Sequence, residues 1–313
     1  MTANGEIKKL RDCLWSAPQY RPEGIVNGSE IMDHIRQALP AQGHPYEWEG
    51  MEEKLMGIRP KELVLFAGGT GSGKSTVTRA ITRRLLEDKI AVGYVALEES
   101  VDQSALSIFG MHMGRNFRVS GDDLPFDEIE AVNKELGSNL FLYDHFGSVE
   151  SDSLLSKIRF LIKGCGCKVI VLDHISIAIS GLDIDDERKA LDVMMTKLRS
   201  LIEETQATIF VVCHLSRPKD GSHEEGAKVQ LRHLRGSHSL GQIPDIICGV
   251  ERDQSATGDS QNTLLFRVLK NRPIGRLGVA CAVVYDEATG RMTETLTEGE
   301  GFGAVEEQDG EEF

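Results

Sequence analysis

Residues 68–75 read Gly-Gly-Thr-Gly-Ser-Gly-Lys-Ser, and this glycine-rich octapeptide restricts the possible folds more than any other part of the sequence. It follows a largely apolar run, residues 62–67, and precedes a segment of helical character, residues 74–87. Glycines between a strand and a helix let consecutive backbone N–H groups surround a phosphate, and the helix N-terminus adds a favourable dipole. The octapeptide therefore predicts a phosphate-binding loop at the end of a buried strand.

The spacing of the octapeptide also predicts roles for its last residues. We expect Lys74 to neutralise the β- and γ-phosphates of a nucleoside triphosphate and Ser75 to bind Mg²⁺. The predicted nucleotide-binding residues are Gly68, Gly69, Thr70, Gly71, Ser72, Gly73, Lys74, Ser75 and Thr76.

Three more polar positions follow apolar strands. Asp173 ends the run Val-Ile-Val-Leu-Asp and is predicted to hold the metal directly or through water. Hydrolysis also needs a group that orients or deprotonates water, and Glu98 is the candidate base, with Glu99 as the alternative. His214 ends another apolar strand, where a polar side chain can contact the γ-phosphate. Because carboxyl ends of parallel strands share one edge of a sheet, we expect these side chains to meet there.

Apolar segments alternate with helical segments from about residue 58. Continuous apolar strands separated by helices are typical of a mostly parallel sheet covered on both faces. After residue 245, strand patterns follow one another without long helices. We therefore predict an α/β fold, with a mostly parallel twisted sheet flanked by helices and an antiparallel C-terminal extension. The predicted strands are residues 62–67, 90–97, 140–143, 168–172, 208–213, 246–251, 263–269 and 278–285, and the longest predicted helix is residues 186–205.

Charge and composition define three regions. Residues 1–50 are predicted to form an N-terminal arm, whose short helix carries an apolar stripe of Ile31, Ile35 and Leu39. Residues 51–297 are predicted to form the main domain, and residues 298–313 an acidic, disordered tail.

The net charge is −14, but residues 294–313 hold seven Glu, one Asp and no basic residue, so the remainder carries only −6. The overall acidity is therefore a weak argument against a nucleic-acid partner.

The sequence offers no signal for a membrane or an oxidising compartment. No run of about 18 apolar residues and no apolar N-terminal signal occurs, which predicts a cytoplasmic protein without membrane contact. The six cysteines lack zinc spacing and are expected to be reduced thiols.

A long polar segment follows His214. Its basic, glycine and hydroxyl residues suit contacts to the phosphates of single-stranded DNA, although nearby acidic residues weaken the signal. The basic residues are Arg217, Lys219, Lys228, Arg232 and Arg235.

Several segments together resemble one protein family. They are Leu-Glu-Glu-Ser-Val at 97–101, Val-Ile-Val-Leu-Asp-His-Ile-Ser at 169–176, Asp-Glu-Arg-Lys at 186–189, Val-Cys-His-Leu at 212–215 and Leu-Arg-Gly-Ser at 234–237. The chain resembles, over nearly its whole length, the helicase half of the replicative primase-helicases of short-tailed phages. The mitochondrial helicase Twinkle and bacterial DnaB are more distant members of the same RecA-like superfamily.

The resemblance implies a homo-oligomeric ring, usually of six subunits, that encircles single-stranded DNA and moves 5′ to 3′ at the expense of ATP or dTTP. It implies that Arg272 is an arginine finger for the neighbouring subunit, with Lys270 as its companion, and that Gln242 senses phosphate. It further implies that Arg235, Gly236 and Ser237 contact DNA and that Tyr285 stacks on the nucleotide base.

The family resemblance also implies roles for the two ends of the chain. The helix near Ile31 matches a linker helix that docks on the adjacent subunit, and the acidic tail ending in Phe313 matches a contact to the replicative DNA polymerase. A phage-infected bacterial cell is the expected setting, ahead of the mitochondrial matrix. Zinc-ribbon and primase segments find no match here, so we expect no primer synthesis.

Two other functions remain open on the sequence. One is a RecA-type recombinase that pairs strands without directional unwinding, and the other is a KaiC-like regulatory ATPase. The ring helicase and the recombinase share the phosphate-binding loop, Asp173 and a basic loop, whereas the linker helix and the Lys270–Arg272 segment favour the ring helicase.

Overall fold

The structure is a computed structural model that describes residues 7–9, 13, 26–29, 31–38, 43–119, 124–144, 151–179, 187–216, 222–234 and 238–295. The chain divides into two units, Met1–Pro40 and Ala41–Phe313. In the first unit, helix α1 (Ile31–Ala38) leaves Ile31 and Ile35 exposed. Within the described residues, no helix is both long and apolar enough to cross a membrane.

In the described part of the second unit, nine strands form one sheet in the order β3-β2-β4-β5-β1-β6-β7-β8-β9. Neighbouring strands from β3 to β6 pair in parallel, and β6, β7, β8 and β9 pair antiparallel. The predicted α/β fold with an antiparallel extension is therefore confirmed. The strands are β1 (Leu63–Gly68), β2 (Val92–Ala96), β3 (Leu140–Leu142), β4 (Val169–Asp173), β5 (Thr208–His214), β6 (Ile246–Arg252), β7 (Thr263–Asn271), β8 (Gly278–Tyr285) and β9 (Met292–Thr295).

Helices cover both faces of this sheet because its central strands are apolar on both sides. On β1, Val64 and Phe66 belong to one core cluster, and Leu63 and Leu65 belong to the other. The helices are α2 (Glu49–Leu55), α3 (Lys74–Glu87), α4 (Val101–Met113), α5 (Phe126–Leu136), α6 (Ser151–Lys163), α7 (Ile175–Ile179), α8 (Glu187–Thr205) and α9 (His238–Gln242). Side chains from α2 to α5 line the first core, and those from α6 to α8 line the second.

The predicted arm extends too far into the chain. Residues 41–50 lie in the second unit, which begins at Ala41. Trp48 is buried against Phe266 with ring centroids 4.8 Å apart, and its indole N–H donates to the Met292 carbonyl at 3.0 Å. An aromatic side chain of this size buries more apolar surface in the core than in a separate arm, so the boundary falls near residue 40 rather than 50.

The parallel register brings several strand ends to one edge of the sheet. Gly68 at the end of β1 pairs with His214 at the end of β5, and Ala96 at the end of β2 pairs with Asp173 at the end of β4. At the opposite edge, Ile246 at the start of β6 pairs with Asn271 at the end of β7. We call these the carboxyl edge and the amino edge, after the parallel strands.

A candidate nucleotide-hydrolysis site

The phosphate-binding loop adopts a tight curve at the carboxyl edge. Gly71 and Gly73 have φ angles of 71° and 90°, which side chains rarely tolerate. Gly73 then starts α3, so the first N–H groups of that helix point toward the loop. This backbone conformation is the anion cradle that the glycine pattern predicts.

Lys74 is buried at the base of the loop. Its Nζ donates to the carbonyl oxygens of Gly68 and Gly69 at 3.1 and 2.6 Å. Burial lowers the pKa of Lys74, an effect opposed by the nearby Asp173 and Glu98. The ammonium is therefore held by weak acceptors in a desolvated place, where attraction to a phosphate is strong.

Asp173 and Ser75 form the acidic part of the site. Burial raises the pKa of Asp173, and a hydrogen bond from Ser75 opposes this shift. Asp173 Oδ1 is buried without a hydrogen-bond partner among the described residues. An orphaned carboxylate oxygen beside a hydroxyl fits a hard cation such as Mg²⁺, which prefers oxygen ligands.

Glu98 and His214 both reach the same site, as predicted, and His174 lies between them. The imidazole Nε2 of His174 is 2.6 Å from Glu98 Oε1, and the His174 and His214 rings meet edge-on with centroids 4.4 Å apart. Burial, together with Lys74 and His174, lowers the pKa of His214 to about 4. His214 is therefore a neutral imidazole at neutral pH.

The two neighbouring glutamates have different surroundings. Glu99 accepts from Arg79 at 2.8 Å and Ser104 at 2.7 Å, and it also pairs with Arg118. Although burial acts to raise it, these partners hold the pKa of Glu99 below its usual value. The side chain of Glu98 is 52% exposed, against 13% for Glu99. A carboxylate between two arginines is a poor proton acceptor, so the geometry favours Glu98 over Glu99 as the base.

These residues surround a cavity of about 710 Å³, large enough for a nucleotide. Tyr285 lines this cavity and a second one of about 360 Å³ beside it. The lining of the first comprises Thr70, Gly71, Gly73, Lys74, Ser75, Thr76, Arg79, Ala96, Glu98, Glu99, Gln103, Arg118, Asp173, His174, Val212, His214, Arg252, Leu264, Tyr285 and Met292.

His174, Arg79 and Arg118 are charged or titratable cavity residues for which the sequence predicted no role. His174 directly follows Asp173, so its position at a strand end was the available signal. Arg79 and Arg118 reach the cavity from the middle of α3 and from the segment after α4. Only the packing of those helices brings them to the carboxyl edge.

Lys270, Arg272 and Gln242 do not line this cavity. Lys270 Nζ donates to the Gln242 carbonyl at 2.7 Å, and Arg272 Nη2 donates to the same oxygen at 2.8 Å. Arg272 also pairs with Asp245 at 3.3 Å, while its own side chain is 55% exposed. All three lie at the amino edge, since β7 runs antiparallel to β6 and ends beside Ile246.

The predicted DNA-contacting residues are only partly described. Arg217, Lys219, Arg235, Gly236 and Ser237 lie outside the described residues, as does the tail with Phe313. Lys228 is exposed, in a segment that also brings His223 against the phosphate-binding loop.

The fold and the phosphate-binding loop together define a P-loop domain with a RecA-like sheet. The protein family described as the DnaB-like helicase C terminal domain matches residues 43–293. The chain belongs to this family, as the sequence resemblance implied.

Curated relatives agree with this assignment. The chain is 36% identical to the DNA helicase/primase of Enterobacteria phage T3, over 98% of this chain and 56% of that protein. It is 20% identical to the replicative DNA helicase DnaB of Leifsonia xyli, over 78% of this chain and 55% of that protein. The chain thus spans little more than half the length of these relatives.

Solved structures support the fold. The ATPase domain of G40P superposes with a TM-score of 0.72 at 17% identity, covering 88% of this chain and all of that one. A DnaB-like replicative helicase, described with its primase interactions, has a TM-score of 0.68 at 16% identity and covers 93% of this chain and 71% of that one.

Proposed function

We propose that this chain is the motor of a replicative DNA helicase, a ring that couples nucleoside triphosphate hydrolysis to 5′–3′ movement on single-stranded DNA and to duplex unwinding. The observation that carries the proposal is the position of Arg272. Its guanidinium is exposed at the amino edge of the sheet that bears the hydrolysis site on its carboxyl edge.

The two edges are too far apart to serve one site within a chain. Strand β1 has six residues, and at a rise of about 3.3 Å per residue it separates the edges by roughly 17 Å. An arginine side chain does not span that distance. Two copies arranged head to tail would place Arg272 of one beside the cavity of the next, and heterologous contacts of this kind close into rings.

Within one site, the residues divide the work of phosphoryl transfer. Lys74 stabilises negative charge on the phosphates, and Glu98 orients and deprotonates the attacking water. Ser75 and Asp173 would hold Mg²⁺, which supplies charge neutralisation at the β- and γ-phosphates. The neutral His214 offers one N–H to the γ-phosphate region and so senses its presence or loss. Arg272 from the adjacent subunit completes the site.

The substrate we propose is ATP or dTTP, with Tyr285 against the base. Tyr285 lines both cavities, and its hydroxyl accepts a hydrogen bond from Asn116 Nδ2 at 3.0 Å. This bond holds the ring at the mouth of the nucleotide cavity, where a base can stack on it.

The DNA partner is proposed from the segment after β5. Lys228 is exposed there, and the basic residues 217, 219 and 235 belong to the same stretch of sequence but lie outside the described residues. Contacts of this type bind phosphates without reading sequence.

The remaining partners are proposed on the family resemblance. A homohexamer closed by helix α1 is consistent with the exposure of Ile31 and Ile35. A contact between the replicative DNA polymerase and the tail ending in Phe313, and a setting in the cytoplasm of a phage-infected bacterium, complete the proposal.

Replacing Lys74 tests the hydrolysis site. Lys74→Ala should reduce nucleotide hydrolysis to the level of a protein-free sample. Among the described cavity residues, the only other buried cation is Arg79, and Arg79 is already paired with Glu99. Lys134→Ala, on the exposed face of α5, is the matched control and should hydrolyse normally. Normal turnover by Lys74→Ala would refute the site assignment.

A forked duplex distinguishes the candidate functions. We expect single-stranded DNA to stimulate hydrolysis and the protein to open a fork that carries a 5′ single-stranded tail. Exchange of homologous strands without fork opening would instead identify a RecA-type recombinase. Hydrolysis that single-stranded DNA leaves unchanged would identify a KaiC-like regulatory ATPase.

A further inference from the structure

We infer that His174 is a positioning residue that orients Glu98 for attack by water and joins it to His214. The inference rests on the proposed function, in which Glu98 is the base. The family resemblance assigns no role to this imidazole.

The contact between His174 and Glu98 is short and asymmetric. Nε2 of His174 lies 2.6 Å from Oε1 of Glu98. The histidine side chain is 7% exposed, whereas the glutamate side chain is 52% exposed. Within the described residues, Glu98 has no other hydrogen-bond partner. One carboxylate oxygen therefore accepts from a buried imidazole, and the other remains open to the cavity.

The imidazole itself is fixed from two sides. Its backbone follows Asp173 at the end of β4, where the Asp173 carbonyl accepts a hydrogen bond from Leu97 N at 2.8 Å. The His214 ring meets it edge-on at an interplanar angle of 89°. Because Leu97 directly precedes Glu98, this backbone hydrogen bond and the contact between His174 and Glu98 join the ends of the same two strands, β2 and β4.

The contact with His174 restricts the orientation of the Glu98 carboxylate. A half-exposed glutamate has three rotatable side-chain bonds and many orientations, and a general base works only within hydrogen-bond reach of its water. Anchoring Oε1 restricts Oε2 to one region of the cavity. Because His214 contacts the anchor, a movement of His214 on loss of phosphate also moves the base.

Glu99 differs from Glu98 in that its carboxylate is held by several partners. Both of its oxygens are occupied, by Arg79 with Ser104 and by Arg118. Among the described residues, Glu98 instead contacts one imidazole and no guanidinium group. One of its oxygens is therefore oriented by the imidazole, while the other stays available to a water molecule.

Two substitutions separate positioning from packing. The side chain of His174→Gln places an amide N–H near the position of Nε2, whereas that of His174→Asn is too short to reach Glu98. We expect His174→Asn to lower kcat by about ten- to a hundredfold, part of the total contribution of a general base, with KM and nucleotide affinity unchanged. His174→Gln should recover most of the rate.

A second histidine–glutamate pair provides the matched control. His112 Nδ1 lies 2.8 Å from Glu87 Oε1, and neither residue lines the nucleotide cavity. His112→Asn should leave kcat unchanged. Nucleotide affinity and thermal unfolding, measured on every variant, check that each protein is folded.

The outcomes distinguish this inference from the function on which it rests. In a Glu98→Gln background, His174→Asn should cause no further loss, because the base is already absent. A normal kcat for His174→Asn, or equal losses for the Asn and Gln variants, would overturn the positioning role alone. Full turnover by Glu98→Gln would instead remove Glu98 as the base. If His174→Asn does not fold, a kcat for His174→Gln as low as that of Glu98→Gln would overturn the inference.

Discussion

Gly73 joins the phosphate-binding loop to α3 with a φ of 90°. A Cβ at this position would also lie 2.6 Å from Leu264 Cδ2. Two separate physical costs therefore favour glycine here, one from the backbone conformation and one from the neighbouring side chain.

Gly73→Ala should lower both stability and nucleotide affinity. The left-handed backbone costs an alanine about 1–2 kcal/mol, and the overpacking costs about 1–3 kcal/mol more. Gly166→Ala is the matched control, because Gly166 has a φ of 77° and no atom within 4 Å of the added Cβ. Denaturant unfolding of the two variants should differ by the overpacking cost, and equal losses would contradict the contact with Leu264.

His214 couples the site to the stability of the fold. Its folded-state pKa of about 4 lies below the ordinary value of 6.5. Below about pH 6.5 the unfolded chain takes up a proton at this residue while the folded chain does not, so acidification favours unfolding until the pH approaches 4. The stability associated with neutral His214 is therefore complete above pH 6.5 and declines through this window.

Replacing His214 should remove that pH dependence. Between about pH 7.5 and pH 5, His214→Gln should lose less unfolding free energy than the parent protein. Asp173, whose raised pKa acts in the opposite direction, is present in both proteins and does not affect the difference. His238→Gln, at an exposed histidine, should follow the parent curve. Identical slopes for His214→Gln and the parent would show that the pKa of the half-buried His214 is not lowered in the folded protein.

At the scale of elements, the segment after β5 contacts the phosphate-binding loop directly. A Cβ on Gly69 would lie 2.8 Å from His223 Cβ, and Gln254 Nε2 donates to the Thr70 carbonyl at 2.6 Å. Gln254 also contacts this segment, since its backbone N–H donates at 2.8 Å to the carbonyl of Glu224, the residue after His223. If the segment binds DNA as proposed, a shift of the segment would reach the loop through these direct contacts.

Lys228 tests the proposed DNA contact of this segment. Lys228→Ala should weaken binding to single-stranded DNA of any sequence and reduce the salt dependence of binding by about one unit of slope. Lys134→Ala, which removes a lysine paired with Glu130 on α5, should change neither. An unchanged salt slope for Lys228→Ala, measured by fluorescence anisotropy, would exclude a phosphate contact at this position.

At the scale of the whole molecule, Arg272 predicts shared sites. Arg272→Ala should bind nucleotide normally and lose hydrolysis by about 10³-fold or more, the usual worth of an arginine finger. Mixing it with Glu98→Gln subunits should restore turnover at interfaces where an intact Glu98 faces an intact Arg272. Arg276→Ala, in the same exposed loop, is the control and should retain activity, because the family resemblance assigns no catalytic role to Arg276. No recovery in mixtures would place Arg272 outside the neighbouring site.

Much of the site was predictable because its residues occupy local, repeated positions. Lys74, Glu98, Asp173 and His214 each follow or begin an element whose period is visible in the sequence, and the parallel register gathers them. His174 was not assigned, since adjacency to Asp173 does not reveal the direction of an imidazole.

Other features depended on packing between distant segments. Arg118 reaches the cavity from beyond α4, and Trp48 joins the core beside Phe266, 218 positions later in the chain. No local pattern encodes either contact, because each depends on how helices and strand ends settle against the finished sheet.

Local sequence is sufficient to define the phosphate-binding loop, the strand that precedes it and the polar ends of the neighbouring strands, because these depend on glycine conformations and short-range periodicity. By contrast, the location of Lys74 and Arg272 on opposite edges of one sheet follows only from the fold. The reason is the direction of β7, which runs antiparallel to β6 and so carries its last residues away from the nucleotide cavity.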